Sequence, residues 1–430
     1  MRAVLFAGIG DLIPLYALYS LLFADHGLST GQISALFAIW STTAFLLEVP
    51  SGAWADTVSR RALLVFSGVL LTAGFAMWTL VPTFLGFALG FVLWGAAGAL
   101  KSGTFEALLY DDLAARGEQA SYARILGYTR AASEAAIVVG IVGATPLYLW
   151  GGYALIGWAS VGFAALHTVI ALSLPSAPQF VSATAVDELE EEDAPDNRAA
   201  VVQSAERDES TVVARPFARY LGMLKAGVGE SIRISAVRNG VLLGALLFGI
   251  TAFDEYFALL AEEAGAATAV VPLLVGVTVL GSLAGSVLAG RTEGMSGRAM
   301  AIAVGIGGVL FLGGALVAGL AEHRPSAVYV LTGLGFTAIG ISYGIVYNAG
   351  VVAGARLQDA IEGPARATVT SVSGLLGEVV ALAVFAFAAV VTTWWSMSVL
   401  LAILGASILP IAVLAPKWLP AKVVEPVDSK

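Results

Sequence analysis

Apolar residues in this chain fall into long, nearly continuous blocks that are separated by short polar stretches. The blocks do not alternate apolar and polar residues as membrane strands do, so the pattern predicts helices. A block of about twenty residues lets a helix cross the bilayer, because each residue rises about 1.5 Å and the hydrocarbon core is about 30 Å thick. We place about twelve such spans, numbered in chain order, approximately at 3–24, 32–55, 62–81, 84–109, 124–149, 152–174, 237–261, 268–290, 299–320, 326–350, 367–391 and 394–415.

The composition agrees with this pattern and excludes an ordinary soluble domain. Of the 430 residues, 58% are hydrophobic and only 12% are charged, and the mean hydropathy is +0.86. Soluble domains carry about 25% charged residues. The sequence therefore predicts an all-α membrane protein.

Basic residues indicate the orientation of the spans. They collect at the chain ends and in the loops after even-numbered spans, and of the 22 lysines and arginines only Arg324 falls in a loop on the other side. Cytoplasmic loops carry such an excess, so we expect both termini in the cytoplasm. No small-residue cleavage site follows the first block, and we interpret it as a retained span rather than a signal peptide.

The net charge of −9 is mostly local. Residues 187–209 carry eight of the nine excess negative charges, which is typical of a solvated linker. Residues 215–238 place apolar side chains at helical spacing among basic ones, as in an amphipathic helix on the inner membrane surface. We thus divide the chain into a six-helix half, a cytoplasmic linker with this interfacial helix, a second six-helix half and a cytoplasmic tail, at 1–174, 175–236, 237–416 and 417–430.

Two halves of about six spans are the layout of many secondary transporters. Weak internal similarity supports the duplication, because Arg124 opens span 5 ten residues before Glu134, and Arg366 opens span 11 twelve residues before Glu378. A carboxylate that faces lipid costs a few kcal/mol at least, so Glu134 and Glu378 are candidate proton carriers.

The end of span 2 carries a short motif with charges and glycine. Gly52, Ala55, Asp56, Arg60 and Arg61 match the pattern G-x-L-A-D-x-x-G-R-[RK], with Trp54 and Ser59 as departures. This stretch resembles the signature loop of the major facilitator superfamily, and the span layout extends the resemblance over the whole chain. The resemblance implies two pseudo-symmetric six-helix halves and a conformational latch, in which Asp56 binds the N-terminus of span 11 near Arg366.

Two further stretches refine the resemblance. SGTFEALLYDDL at 102–113 and RATVTSV at 366–372 are similar to segments of bacterial efflux-type members. This similarity implies an exporter in the bacterial cytoplasmic membrane that works by antiport. Drug/proton antiporters of the superfamily usually carry an arginine in span 4, whereas the only basic residue there is Lys101. Uptake of a metabolite or a siderophore-like solute therefore remains open.

The resemblance also implies that spans 1, 4, 7 and 10 line a central cavity. As candidate site residues these spans carry Asp11, Lys101, Asp254, Glu255, Tyr343, Tyr347 and Asn348. Asp11 and Lys101 lie at similar depth, so we expect them to meet and to act in proton coupling, or to form a structural ion pair. The others are candidates for the substrate cavity. Asp254 and Glu255 are neighbours about 100° apart on a helix, so we expect only one, Asp254, to face the cavity squarely.

Glu48 and Glu106 lie nearer to the cytoplasmic ends of spans 2 and 4, and we interpret them as inner-gate candidates. Other chemistries find little support. The chain has no cysteine, and its three histidines lack metal-ligand spacing. GISYG at 340–344 fits a nucleophile pattern but lies within a predicted helix with no strand before it.

The sequence thus predicts a proton-coupled secondary transporter that exports a small, partly apolar organic compound, rather than a membrane enzyme or a sensor. We expect a small-molecule substrate, protons and the lipid bilayer as partners, no nucleic acid, no cofactor or metal, and a monomer.

Overall fold

The computed structural model describes residues 1–179, 234–361 and 366–421, and these residues form a helical bundle. Eleven of its helices are long and apolar enough to cross a membrane. The predicted acidic stretch, the amphipathic helix and the end of the tail lie outside the described residues.

Span 1 consists of the helical segments Arg2–Asp11, Pro14–Ala17 and Tyr19–Asp25, and spans 2 and 3 are the helices Thr30–Thr57 and Arg60–Leu80. Span 4 consists of Phe84–Lys101 and Thr104–Ala115, and spans 5 and 6 share the helix Tyr122–Leu172. Span 7 consists of the helical segments Ser235–Gly249, Ile250–Tyr256 and Phe257–Glu263. Spans 8 to 12 are, in order, the helices Val271–Thr292, Gly297–Gly319, Val328–Ala360, Arg366–Val391 and Met397–Trp418. We call the side on which odd-numbered spans begin the terminal face, and the other side the opposite face.

The helix Tyr122–Leu172 holds two spans. Its 51 residues would extend about 75 Å if straight, which is more than twice the hydrocarbon thickness. The backbone leaves the helical conformation at Gly151 and Gly152, and Gly152 adopts a φ of +59°, which favours glycine. This break lies where the sequence predicts the boundary between spans 5 and 6, so the eleven long helices contain twelve spans.

Hydroxyl side chains mark where several spans begin. Ser29 accepts a hydrogen bond from the backbone of Gln32, whose side chain accepts one from the backbone of Ser29. Ser59, Thr83 and Ser296 cap spans 3, 4 and 9 in the simpler way. Each cap satisfies a helix N–H group and is worth about 1 kcal/mol.

Spans 1 and 7 are interrupted near mid-membrane, although the sequence predicts continuous helices at 3–24 and 237–261. A 3₁₀ segment, Pro14–Ala17, divides span 1, and another, Ile250–Tyr256, divides span 7. Pro14 explains the first break because it has no N–H group to continue an α-helix. Span 4 is likewise divided, at Gly103, whose φ is +67°.

Aromatic rings and close glycine contacts pack the bundle. In the first half, Phe23 lies 4.3 Å from Phe87 and Trp78 lies 4.7 Å from Phe91 between ring centroids. In the second half, spans 8 and 10 cross at glycines, and a Cβ atom on Gly281 or Gly344 would collide with the facing backbone. The cavity described below lies between the halves.

Candidate functional site

A cavity of about 190 Å³ lies between the two halves of the bundle. Side chains from spans 1, 4, 5, 7, 8 and 10 surround it. The lining residues are Tyr16, Tyr19, Trp94, Ile141, Asp254, Glu255, Phe257, Val275, Thr278, Val279 and Tyr343.

The first half contributes an aromatic wall. The 3₁₀ segment of span 1 presents Tyr16, whose ring stacks on Trp94 of span 4 at 5.2 Å between centroids and 13° between planes. Tyr19 meets the same indole edge-on at 6.2 Å. The break in span 1 therefore places two tyrosines beside one tryptophan, at the boundary between the halves.

The second half contributes two carboxyl groups, both on the 3₁₀ segment of span 7. The hydroxyl of Tyr343 donates a hydrogen bond to Asp254 at 2.7 Å, within the second half. The hydroxyl of Tyr19 donates to Glu255 from the first half. The expectation that only Asp254 faces the cavity is wrong, because both Asp254 and Glu255 line it.

None of the described residues that line the cavity is a lysine, an arginine or a histidine. The hydroxyl of Thr278 donates to the carbonyl of Val275 on its own helix at 2.7 Å. Apart from the two carboxyl groups and the tyrosine hydroxyls, the lining offers a ligand mainly apolar and aromatic surface.

Two predicted cavity residues of span 10 lie elsewhere. Asn348 donates to the carbonyl of Gly285 at 2.9 Å and accepts a hydrogen bond from Thr292, so it ties span 10 to span 8 rather than lining the cavity. Tyr347 lies one helical turn from Tyr343 toward the terminal face, with the two rings 6.2 Å apart. It is 38% exposed and borders the space next to the cavity.

Asp11 and Lys101 do meet, as their equal depth suggests. The Lys101 Nζ atom lies 3.9 Å from Asp11 Oδ2, and the side chains are 32% and 25% exposed. The carboxylate of Glu134 on span 5 is close enough to interact electrostatically with Asp11. The structure thus groups three of the four proton-coupling candidates on the terminal side of the cavity.

The fourth candidate lies apart from them. Glu378 on span 11 accepts a hydrogen bond from Ser41 on span 2. Its charge also interacts with that of Glu48. Glu48 accepts a hydrogen bond from Ser102 at 3.0 Å, at the break in span 4. Glu106 lies in the first turn of the helix that follows this break. Glu134 and Glu378 therefore occupy corresponding spans but belong to different clusters.

The signature motif is only partly described. Arg60 is buried and forms an ion pair with the equally buried Asp111 of span 4, within the first half. Arg61 donates to the carbonyl of Leu174 at 3.5 Å. Gly52 lies within the helix of span 2. The side chains of Asp56 and Arg366 lie outside the described residues, so the latch stays a prediction.

The hydrogen bonds and ring contacts between described side chains of the two halves lie at mid-membrane or nearer to the opposite face. The hydroxyls of Ser34 and Tyr256 are 2.7 Å apart, and the rings of Phe37 and Phe385 are 5.5 Å apart. Among the hydrogen bonds between described side chains, none joins the halves nearer to the terminal face than that of Ser41. The described contacts thus close the bundle on the opposite face.

Sequence reasoning missed the aromatic residues of the site and the partner of Arg60. Tyr16 and Tyr19 follow a proline inside an apolar block, and this was the available signal for a break with side chains turned inward. Asp111 lies in the 102–113 stretch, where an acid among apolar residues calls for a cationic partner.

Comparison with known proteins decides the family. The sequence model described as Major Facilitator Superfamily matches residues 3–357. The chain belongs to the major facilitator superfamily. It is therefore a multi-pass membrane transporter and not an enzyme. Comparison with curated protein sequences finds no match.

Solved transporters of the superfamily share the fold. A structure titled nucleoside transporter NupG has 13% sequence identity and a TM-score of 0.64, with 98% of each chain covered. A point mutant of the same transporter has 14% identity and a TM-score of 0.66, with 96% of this chain and 97% of that chain covered. A D-xylose-proton symporter has 16% identity and a TM-score of 0.58, with 97% of this chain and 96% of that chain covered. At these identities the likeness concerns the fold alone.

Among the described residues, no cluster of acidic or histidine side chains could hold a metal ion. The chemistry that the described part of the site offers is therefore that of carboxyl groups, tyrosine hydroxyls and aromatic rings.

Proposed function

We propose that the chain is a proton-coupled secondary transporter that carries a small, partly apolar organic compound through the central cavity. The position of the cavity carries this proposal. It lies between the halves and takes its walls from both. Alternating access, in which the halves rock about a site near mid-membrane, exposes such a cavity to one side at a time.

Proton coupling is assigned to Asp11 with Lys101, on the terminal side of the cavity. A carboxylate that alternates between a cationic partner and an apolar environment changes its affinity for protons. The 3.9 Å separation leaves room for this alternation, because it is longer than a direct hydrogen bond. Glu134 and Glu378 are the rival carriers.

The conformation fits a resting state that is open to the cytoplasm, given the orientation indicated by the basic residues. The described contacts between the halves then close the outer side. In the outward-open state these contacts break, and the proposed interaction of Asp56 with span 11 holds the cytoplasmic side closed. The acidic linker joins the halves on that same side.

Export in exchange for protons is the proposed direction, because the 102–113 and 366–372 stretches resemble efflux-type members. Uptake together with protons is the second candidate. It is favoured by the structural likeness to a D-xylose-proton symporter. We place the protein in the bacterial cytoplasmic membrane as a monomer.

Purified protein in liposomes tests the function. A thermal-shift screen of nucleosides, sugars and organic cations selects compounds that stabilise the protein, and their transport is then measured with and without an imposed pH gradient. We expect accumulation of a selected compound only when the gradient is present, and its sign gives the direction of transport. If the transport of every selected compound is the same with and without the pH gradient, proton coupling is contradicted.

A further inference from the structure

The cavity holds two acidic side chains and no basic one, which is unusual for a buried site. Asp254 and Glu255 both line the space of about 190 Å³. Their described side-chain partners are tyrosine hydroxyls, Tyr343 for Asp254 and Tyr19 for Glu255. A hydroxyl donates one hydrogen bond but brings no positive charge. The negative charge that this pair can carry therefore has no counterion in the lining.

The aromatic residues of the lining suit the same kind of ligand. Tyr16, Tyr19 and Trp94 line the cavity together with these carboxyl groups and pack against one another. Aromatic faces attract cations, most strongly where water is excluded, and they also pack well against apolar groups. A ligand with a positive charge and an apolar body would satisfy both walls at once.

Neutral polyhydroxylated ligands fit less well. A sugar or a nucleoside needs several donors and acceptors around it, because each of its buried hydroxyls costs free energy unless it forms a hydrogen bond. The remaining wall consists of Ile141, Val275, Val279 and Phe257, and the hydroxyl of Thr278 is directed to its own helix.

We propose that the substrate is an organic cation with an apolar body, bound in the cavity by Asp254 and Glu255 together with Tyr16, Tyr19 and Trp94. This assignment rests on the proposed transport function and names its substrate class. The volume sets the size, because a space of about 190 Å³ admits a single small aromatic or branched aliphatic group.

Binding of the cation at Glu255 would also affect a contact between the two halves. Its carboxylate belongs to the second half and accepts its hydrogen bond from Tyr19 of the first half. A cation that binds Glu255 competes with that hydroxyl. Substrate binding thus weakens one of the contacts that close the opposite face.

The test compares two ligands of one shape and different charge. Phenyltrimethylammonium is a permanent cation, and tert-butylbenzene is its uncharged isostere. Isothermal titration of the full chain in detergent, corrected by titration into protein-free micelles, gives both affinities. We expect the cation to bind at least about tenfold more tightly. Equal affinities for the two ligands would overturn the proposal.

Variants locate the charge effect. We expect Glu255→Gln and Asp254→Asn each to weaken cation binding about tenfold and to leave the isostere unchanged. Glu322→Gln, in an exposed position on the opposite face, is the matched control and should bind both ligands like the wild type. Unchanged cation binding in both cavity variants would show that the cation binds elsewhere and would refute the site.

Transport in liposomes separates this proposal from the proposed function. If a nucleoside or a sugar moves with protons while the cation neither binds selectively nor moves, the substrate class is wrong and the function stands. If the cation binds selectively but is transported equally with and without an imposed pH gradient, the proposed substrate class is supported and the proposed proton coupling is refuted.

Discussion

The hydroxyl of Tyr19 donates a hydrogen bond to the carboxylate of Glu255 across the boundary between the two halves of the transporter. Tyr19 begins the outer helix of span 1, and Glu255 lies in the 3₁₀ segment of span 7. The bond lies in the wall of the central cavity, so one contact belongs both to the closure of the opposite face and to the binding site.

Tyr19→Phe removes this hydroxyl with little change in shape. A hydrogen bond of this kind contributes about 1 kcal/mol, so we expect the equilibrium to shift roughly fivefold toward opening of the opposite face. Spin labels on cysteines at His26 and Ala267, both exposed on that face, measure the change as longer distances in pulsed electron paramagnetic resonance.

Tyr153→Phe is the matched control. The hydroxyl of Tyr153 donates to Asp25 at 2.7 Å, but both residues belong to the first half. Its loss should leave the distance distribution between the halves unchanged. If Tyr19→Phe gives the same distribution as this control, the bond to Glu255 does not hold the face closed.

Asp111→Asn should destabilise the protein strongly. Asp111 and Arg60 are both buried and form an ion pair, and loss of one partner of such a pair costs about 3 kcal/mol or more. The neighbour Asp112 pairs with the exposed Arg116 at 2.7 Å, so Asp112→Asn should cost less than about 1 kcal/mol. Thermal unfolding in detergent measures both, and equal melting temperatures for the two variants would refute the difference.

Asp11→Asn should abolish accumulation driven by a pH gradient and still permit some downhill movement of substrate, because the cavity is intact while the proton site is lost. Lys101→Ala should shift the pH dependence of transport, since it removes the cation next to Asp11. Proton flux in liposomes on substrate addition measures the coupling. If Asp11→Asn behaves like the wild type and Glu134→Gln or Glu378→Gln does not, the proton site belongs to one of those two residues.

Gly344→Ala should weaken the contact between spans 8 and 10. A methyl group there would overlap the carbonyl of Gly281, and forcing extra atoms into a packed contact costs about 1 to 3 kcal/mol. Gly333 lies in the same helix with no neighbour within 4 Å, so Gly333→Ala should be neutral or should stabilise by up to about 1 kcal/mol. Similar unfolding temperatures for both variants would show that the contact tolerates a methyl group.

The native chain has no cysteine, so cysteine labelling can test the orientation cleanly. An impermeant maleimide added to intact cells should label Ala267→Cys, in the exposed loop after span 7, and should label Ser204→Cys in the acidic linker only after permeabilisation. The reverse result would place both termini outside the cytoplasm.

The sequence was sufficient for the fold because the signals for it are long. Blocks of about twenty apolar residues specify a span whatever their detailed packing. The boundary between spans 5 and 6 was placed correctly because two adjacent glycines, Gly151 and Gly152, interrupt the apolar run. The meeting of Asp11 with Lys101 followed from their similar depth, which residue counting provides, and from the resemblance that places spans 1 and 4 at the same cavity.

The cavity depended on short irregular segments that counting does not provide. Asp254 and Glu255 were expected on an α-helix with only Asp254 facing the cavity squarely, whereas they lie on a 3₁₀ segment and both line the cavity. Asn348 was placed in the cavity because it is polar and follows Tyr343, but a polar side chain in a span can equally serve the neighbouring helix. The aromatic wall was missed because aromatic residues are common in apolar blocks.

The breaks in spans 1 and 7 leave two short outer helices, each joined to its inner helix by a 3₁₀ segment rather than by continuous α-helix. Tyr19–Asp25 and Phe257–Glu263 pack against each other across the boundary. Each is also held by its own half, since Phe23 packs on Phe87 of span 4 and Phe257–Glu263 contacts spans 8 and 9. Such 3₁₀ segments often act as hinges. Rotation of the halves would therefore carry the two outer helices apart and bend spans 1 and 7 at these segments.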